Sequence, residues 1–243
     1  STLVVYTPAI PKDMGELVYV QEKGYRVIKR SRTLGEIAQG QRCMAVAGTH
    51  GKTTTSTLVS HLFTDSGEGC SAFLGGISKN YDSNLLTHTN NVIVAEADEF
   101  DRSFLQLFPE IAVITSMDAD HLDIYGDEAH IREAFKAFAS QVSGTVIVRH
   151  GLDITEGDTK AAIMTYGYDT PEADYYAEPL EGGHFNLHYP GGIIEDCVVG
   201  IPGWVNIENA TGAAAIALTY GIEPAKIKEA EVPAGTFASY STV

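Results

Sequence analysis

The sequence predicts an α/β fold, a P-loop-type mostly parallel sheet flanked by helices with a small antiparallel subsheet. Three observations predict it. Between Cys43 and Val148, short apolar runs alternate with stretches of helical character, the signature of a sheet covered on both faces. The first of these runs passes through a glycine-rich turn directly into a helix. After Gly151 the pattern changes to short alternating segments around a Pro190-Gly191-Gly192 turn.

Taken in order, residues 3–6 read as a buried strand, 13–23 as an amphipathic helix stopped by Gly24, and 26–28 as a second strand. With no helix before the first strand, residues 1–41 are expected to be the end of a domain whose beginning is missing. From Cys43 the expected elements are a strand at 43–47, a helix from about Lys52 to Asp65, strands at 70–74, 92–96 and 111–115, a helix at 127–141 and a strand at 145–148. Segments 161–166, 174–178, 184–189 and 193–199 supply the antiparallel subsheet. An alanine-rich helix over 206–220 ends at Gly221, and residues 223–243 show no convincing closing element. The expected boundaries are therefore 1–41, 42–230 and 231–243, the last being the start of a linker.

The chain has 243 residues, 44% of them hydrophobic, which is enough for a packed core and excludes a disordered chain. Sixteen Lys and Arg stand against 32 Asp and Glu, so a formal charge of -16 argues against a nucleic-acid partner. A small anion remains compatible, because backbone N–H groups, one lysine and a metal can reverse the sign locally. Cys43, Cys70 and Cys197 are odd in number, widely spaced and set in apolar runs, which suits free thiols. No secretion signal and no run of membrane-spanning length is visible, so a cytoplasmic location with no membrane partner is expected.

Residues 44–55, Met-Ala-Val-Ala-Gly-Thr-His-Gly-Lys-Thr-Thr-Thr, carry the sharpest chemical signal. Glycine allows backbone N–H groups to turn toward phosphate oxygens, and the helix N-terminus adds partial positive charge. Lys52 is expected to reach the β- and γ-phosphates of a nucleotide, and the Thr53 hydroxyl to ligate Mg²⁺. The strict GxxxxGK[ST] pattern fails because Val46 occupies its first glycine position, so the loop is a shorter variant. Gly67-Glu68-Gly69-Cys70-Ser71-Ala72 fits GxGxxA formally. It follows a helix and precedes a strand, the inverse of a dinucleotide-binding context, and reads as a turn.

Two strand exits are acidic. The run 92–95 leads into Glu96-Ala97-Asp98-Glu99-Phe100-Asp101, four acids in six residues. Carboxylates so close repel one another unless cations lie among them, which points to Mg²⁺, although an acidic solvated exit explains this segment alone equally well. The run 111–115 leads into Ser116-Met117-Asp118-Ala119-Asp120-His121-Leu122-Asp123, where His121 is a candidate ligand for a second ion. His50 lies inside the phosphate loop, facing either solvent or ligand. His61, His88, His130, His150, His184 and His188 read as surface or packing residues.

Gly-Thr-His-Gly-Lys-Thr-Thr at 48–54, Glu-Ala-Asp-Glu at 96–99, Asp-Ala-Asp-His-Leu-Asp at 118–123 and Asn-Ile-Glu-Asn-Ala-Thr at 206–211 together closely resemble the Mur ligases. Ser103-Phe104-Leu105 and Thr7-Pro8-Ala9-Ile10 are most like the members that join L-alanine to UDP-N-acetylmuramate. The resemblance implies an N-terminal Rossmann-like UDP-binding domain, of which residues 1–41 would be the C-terminal remnant. Residues 42–230 would be the central ATP-binding domain, with the amino-acid-bringing third domain absent. It further implies that Gly48, Thr49, His50, Gly51, Lys52, Thr53 and Thr54 surround ATP, with Lys52 on the β/γ-phosphates. Thr53 and Glu96 would hold one Mg²⁺ and His121 another, and Asn206 and Asn209 would contact adenine. Lys52, Glu96 and His121 would carry the chemistry, an acyl phosphate that L-alanine displaces. Without the third domain the chain is expected not to complete ligation by itself.

Two departures from the resemblance stand out: Trp204 occupies a position where a basic residue is common, and residues 231–243 lack the expected arginine-bearing stretch. A recycling ligase that attaches a preformed peptide to the same nucleotide sugar should differ after Glu-Ala-Asp-Glu. A GTPase-type switch would need Asn/Thr-Lys-x-Asp, and Thr115-Ser116-Met117-Asp118 lacks the lysine. Asn209-Ala210-Thr211 fits a glycosylation sequon, which is immaterial without secretion.

Overall fold

The computed structural model describes residues 2–118 and 128–230, without the side chains of Asp101 and Glu128. Two parallel strands, β1 (Leu3–Tyr6) and β2 (Arg26–Lys29), form a small sheet with α1 (Gly15–Glu22) between them and α2 (Arg30–Ala38) after them. The sequence reading missed α2 because Gly35 sits inside it. That glycine permits close packing, since a Cβ there would collide with the Gln106 carbonyl oxygen.

The remaining strands form one ten-stranded sheet in the order β12-β11-β10-β9-β8-β7-β3-β6-β4-β5. Its members are β3 (Arg42–Ala47), β4 (Ser71–Ser78), β5 (Ser83–Leu86), β6 (Val92–Ala97), β7 (Ile111–Ile114), β8 (Thr145–Arg149), β9 (Ala162–Tyr168), β10 (Tyr175–Pro179), β11 (Phe185–Tyr189) and β12 (Gly192–Cys197). The remaining helices of the described residues are α3 (Lys52–Asp65), α4 (Glu128–Ser140), α5 (Trp204–Tyr220) and α6 (Pro224–Glu229), with 3-10 turns at Phe100–Gln106 and Glu181–Gly183.

The antiparallel part is smaller than expected. β9 pairs parallel with both β8 and β10, so parallel order runs unbroken from β10 to β4. Among the described residues only β11, β12 and, at the opposite edge, β5 run antiparallel to their neighbours. The extension is continuous with the main sheet. β5, both 3-10 turns and α6 were also not expected. They are short elements, and their formation depends on tertiary contacts more than on periodicity.

The apolar runs of the central strands are buried on both faces, whereas β1, expected to be buried, leaves Leu3 and Val5 exposed. Along β3, Met44 and Val46 point to one side with Leu58, Val59 and Phe63 of α3 and Ile207 and Ala213–Ala217 of α5. Cys43, Ala45 and Ala47 point to the other, with Phe104 of the 3-10 turn and Ile131, Phe135 and Phe138 of α4. This period of two is the pleat itself. Phe104 stacks on Phe138 at 5.0 Å and meets Phe135 edge-on at 5.3 Å. Burying that one ring stabilises the turn by about 1.5–3 kcal/mol. Among the described residues no helix is long and apolar enough to cross a membrane.

The strand order matters most for function. β3, which feeds the glycine-rich turn, lies between β7 and β6, so the exit of β6 and residues 115–118 after β7 flank that turn at the carboxyl edge of the parallel sheet. Ligands of open α/β sheets bind outside that edge.

Candidate active site at the carboxyl edge of the sheet

The loop 48–51 is held open by backbone conformation and held in place by β7. Gly48 has φ +142° and Gly51, which caps α3, has φ +80°, both in the region that favours glycine. A Cβ at Gly48 would collide with Thr115 Oγ1 and lie 2.9 Å from the Ser116 nitrogen. The residues after β7 clamp the loop. The His50 N–H donates to Ser116 Oγ at 2.8 Å and the Thr49 N–H to the Ser116 carbonyl at 3.3 Å. Thr49 and Ser116 share a hydroxyl–hydroxyl bond of 2.9 Å, and the Thr115 hydroxyl donates to the His50 carbonyl. Nothing in the local pattern singles out Thr115 and Ser116 for this role, because hydroxyl residues at a strand exit are common.

Lys52 begins α3 and folds back over the loop, donating to the Gly48 carbonyl at 2.8 Å and to Glu99 Oε2 at 2.7 Å. Thr53 donates from Oγ1 to Glu96 Oε1 at 3.0 Å, and the Gly75 N–H donates to Glu96 Oε2 at 2.8 Å. A Cβ at Gly75 would fall on the Glu96 carboxylate, so that glycine makes room for the acid. The Gly75-Gly76 pair inside a strand was the available sign of such a close approach. Burial pushes the Glu96 carboxyl above the usual range. The Gly75 N–H, the Thr53 hydroxyl and the charge of Lys52 oppose that shift, and Asp98 reinforces it.

Asn209, buried on α5, places Oδ1 2.7 Å from where a Gly51 Cβ would be, so it borders the loop directly. Asn206, one turn earlier, is half-buried and donates from Nδ2 to the Pro202 carbonyl at 2.8 Å. His50 is exposed, with Nε2 3.9 Å from Asp118 Oδ2. Thr54 lies in the first turn of α3, half-buried. Trp204 is 54% exposed at the start of α5, its ring 6.0 Å from that of Tyr168. His121, Asp120 and Asp123 lie outside the described residues. Among the described residues no three His, Cys, Asp or Glu side chains converge as a metal cluster.

The Thr53 and Glu96 oxygens nevertheless suit a hard cation. They are adjacent, they are oxygen donors, and the carboxylate sits where its charge lacks full solvation. Beside them opens a cleft of about 570 Å³, lined by Thr7, Pro8 and Arg30 on one side and Gly75, Glu96 and Ser103 on the other. The arrangement offers backbone N–H groups, a lysine, a hydroxyl and a carboxylate at one strand edge.

The family profile of the Mur ligase middle domain matches residues 46–217, most of the chain. The chain belongs to the Mur ligase family. As a Mur ligase it is 47% identical over 229 residues to UDP-N-acetylmuramate--L-alanine ligase of Porphyromonas gingivalis, covering 91% of this chain and 50% of that protein. It is 44% identical over 232 residues to the enzyme of the same name from Flavobacterium psychrophilum, covering 95% and 51%. The crystal structure of UDP-N-acetylmuramate-alanine ligase from Thermotoga maritima superposes with a TM-score of 0.80 at 25% identity, covering 94% of this chain and 53% of that one. A UDP-N-acetylmuramate:L-alanyl-gamma-D-glutamyl-meso-diaminopimelate ligase from Neisseria meningitides shares the fold, with a TM-score of 0.84 at 21% identity, covering 99% and 79%. The chain spans about half the length of the curated relatives it matches.

Proposed function

We propose that this chain carries the ATP-binding centre of a cytoplasmic ligase that joins L-alanine to UDP-N-acetylmuramate through an acyl phosphate. The observation that carries the reading is the meeting of Lys52, Thr53 and Glu96 at the phosphate loop, beside an open cleft of about 570 Å³. Loop residues 48–54 surround the triphosphate, and Lys52 neutralises its β/γ-oxygens. Thr53 and Glu96 hold one Mg²⁺ and His121 a second. Bound Mg²⁺ supplies charge neutralisation on the phosphate oxygens. Asn206 and Asn209 read the adenine. Residues 1–41 belong to a UDP-binding domain and 42–230 to the ATP-binding domain.

The carboxylate of the muramic acid attacks the γ-phosphorus in line, and the bond from that phosphorus to the ADP oxygen breaks. The amine of L-alanine then attacks the acyl carbon, phosphate leaves, and the amine loses a proton as the amide forms. The side chains of this site contribute placement and charge neutralisation to the first step.

Calorimetric titration of the chain with a non-hydrolysable ATP analogue and Mg²⁺ tests the nucleotide assignment. Binding is expected, with the GTP analogue much weaker. No binding overturns the nucleotide assignment, and a preference for GTP overturns it in favour of a switch protein. The substrate assignment is tested on the polypeptide at the length of its relatives, with ATP and UDP-N-acetylmuramate. Phosphate release that depends on L-alanine supports it, and release that depends on a preformed peptide favours the recycling ligase.

A further inference from the structure

We infer that Glu99 is a positioning residue that sets the direction in which Lys52 presents its charge to the nucleotide. The inference rests on the ATP-binding reading above. Glu99 is 1% exposed, yet its Oε2 accepts a 2.7 Å bond from Lys52 Nζ, itself largely buried. A carboxylate removed from water is tolerated when a cation stays with it, so Lys52 does not leave Glu99 when a phosphate arrives. An ammonium has three protons. The Gly48 carbonyl and Glu99 take two of them, and the geometry of the group then fixes where the third points. A lysine with four rotatable bonds becomes a donor of fixed direction, and ordering it costs little at the moment of binding.

The fold holds Glu99 as firmly as it holds the loop. Glu99 directly precedes the 3-10 turn, and its carbonyl accepts the Arg102 N–H at 2.9 Å. The Phe104 N–H returns to the Asp98 carbonyl at 2.8 Å, and the Phe104 ring is locked under Phe135 and Phe138. The carboxylate is thus anchored through α4, an element that supplies no loop residue. Glu96 and Glu99 come from one strand exit and divide the work. Glu96 faces Thr53 and Gly75, whereas Glu99 faces Lys52.

The test measures affinities of the whole chain for an ATP analogue with Mg²⁺ and for AMP, in wild type, Glu99→Ala, Glu99→Gln, Lys52→Ala and the double variant Lys52→Ala/Glu99→Gln. Glu99→Ala is expected to weaken the ATP analogue by about tenfold or more, the scale of a lost hydrogen bond to a charged group, and to leave AMP within about twofold. Glu99→Gln keeps an accepting oxygen and is expected to recover part of that loss. In the Lys52→Ala background Glu99→Gln is expected to change the affinity no further, because there is no ammonium left to direct. Additive losses from Lys52→Ala and Glu99→Gln, or an equal loss of AMP binding, would overturn the inference. Should Glu99→Ala not fold, the Gln variants decide by the same criterion. Failure of the wild-type chain to bind the ATP analogue overturns the nucleotide reading and this inference with it. Wild-type binding that Glu99 variants leave unchanged overturns this inference alone.

Discussion

The Thr53 hydroxyl donates a 3.0 Å hydrogen bond to Glu96 Oε1 across 43 residues of sequence. β3 and β6 are neighbours in register, with Val46 opposite Glu96, so the start of α3 and the end of β6 meet at one edge. Two oxygen donors brought together in this way have opposite effects on stability and on binding.

Replacing Glu96 with Gln keeps the volume and removes a charge that burial disfavours. Its folded pKa is raised, so the ionised acid costs stability as pH rises through the carboxylate range, and the variant is expected to melt at or above the wild-type temperature at neutral pH. Mg²⁺-dependent binding of the ATP analogue is expected to fall by about tenfold or more, the scale of a lost charged ligand, while Mg²⁺-free binding does not fall. Calorimetry with and without Mg²⁺ and a melting curve measure both. Unchanged Mg²⁺ dependence would remove Glu96 from the metal.

Gly48→Ala places a Cβ at φ +142° against Thr115 Oγ1 and the Ser116 backbone. A strained backbone of this kind costs roughly 1–3 kcal/mol, and the collision adds to it. Gly151→Ala, at φ +91° with open space around it, is the control for strain alone. Expected is a lower denaturation midpoint for both, and loss of nucleotide binding for Gly48→Ala only.

Arg42 holds Glu110 through bonds of 2.8 and 2.7 Å and lies 4.2 Å over the Tyr220 ring. The guanidinium keeps the Glu110 carboxyl below its usual range. Stability from this pair is therefore present above the ordinary carboxylate pKa and is lost as pH falls through the lowered one. Both side chains are more than a third exposed, so solvent screening limits the pair to below about 1 kcal/mol. Glu110→Gln is expected to lower the urea midpoint slightly at pH 7, by less in high salt, and by nothing in strong acid.

Burial pushes the Cys43 and Cys70 thiols up to about 12, so neither is a thiolate at neutral pH. Alkylation of the folded chain at pH 7.5 is expected to spare both, and unfolding in urea to expose them together. Rapid labelling of either in the native state would contradict the packing of β3 against α4 or of Cys70 against α3.

The sheet's parallel centre, the phosphate loop and the helices after it were legible because each is written in local sequence. Five-residue apolar runs and a Gly-Lys-Thr at a strand–helix junction need no distant partner to be read. α2 was hidden by Gly35, whose reason is the Gln106 carbonyl, and the parallel pairing of β9 with β10 was hidden because alternation does not encode direction. Glu99 and Glu96 are indistinguishable as letters in Glu-Ala-Asp-Glu. Only the packing of Phe104 turns one toward Lys52 while Gly75 makes room for the other beside Thr53.

By itself the sequence determined the α/β class and the residue types available to bind phosphate and metal, since these follow from local pattern along one chain, and its four motifs carried the resemblance to the family. The tertiary structure alone decided which of those residues meet. Strand order placed β3 between β6 and β7, and a hydrogen bond between residues dozens of positions apart depends on that order, which no local pattern contains.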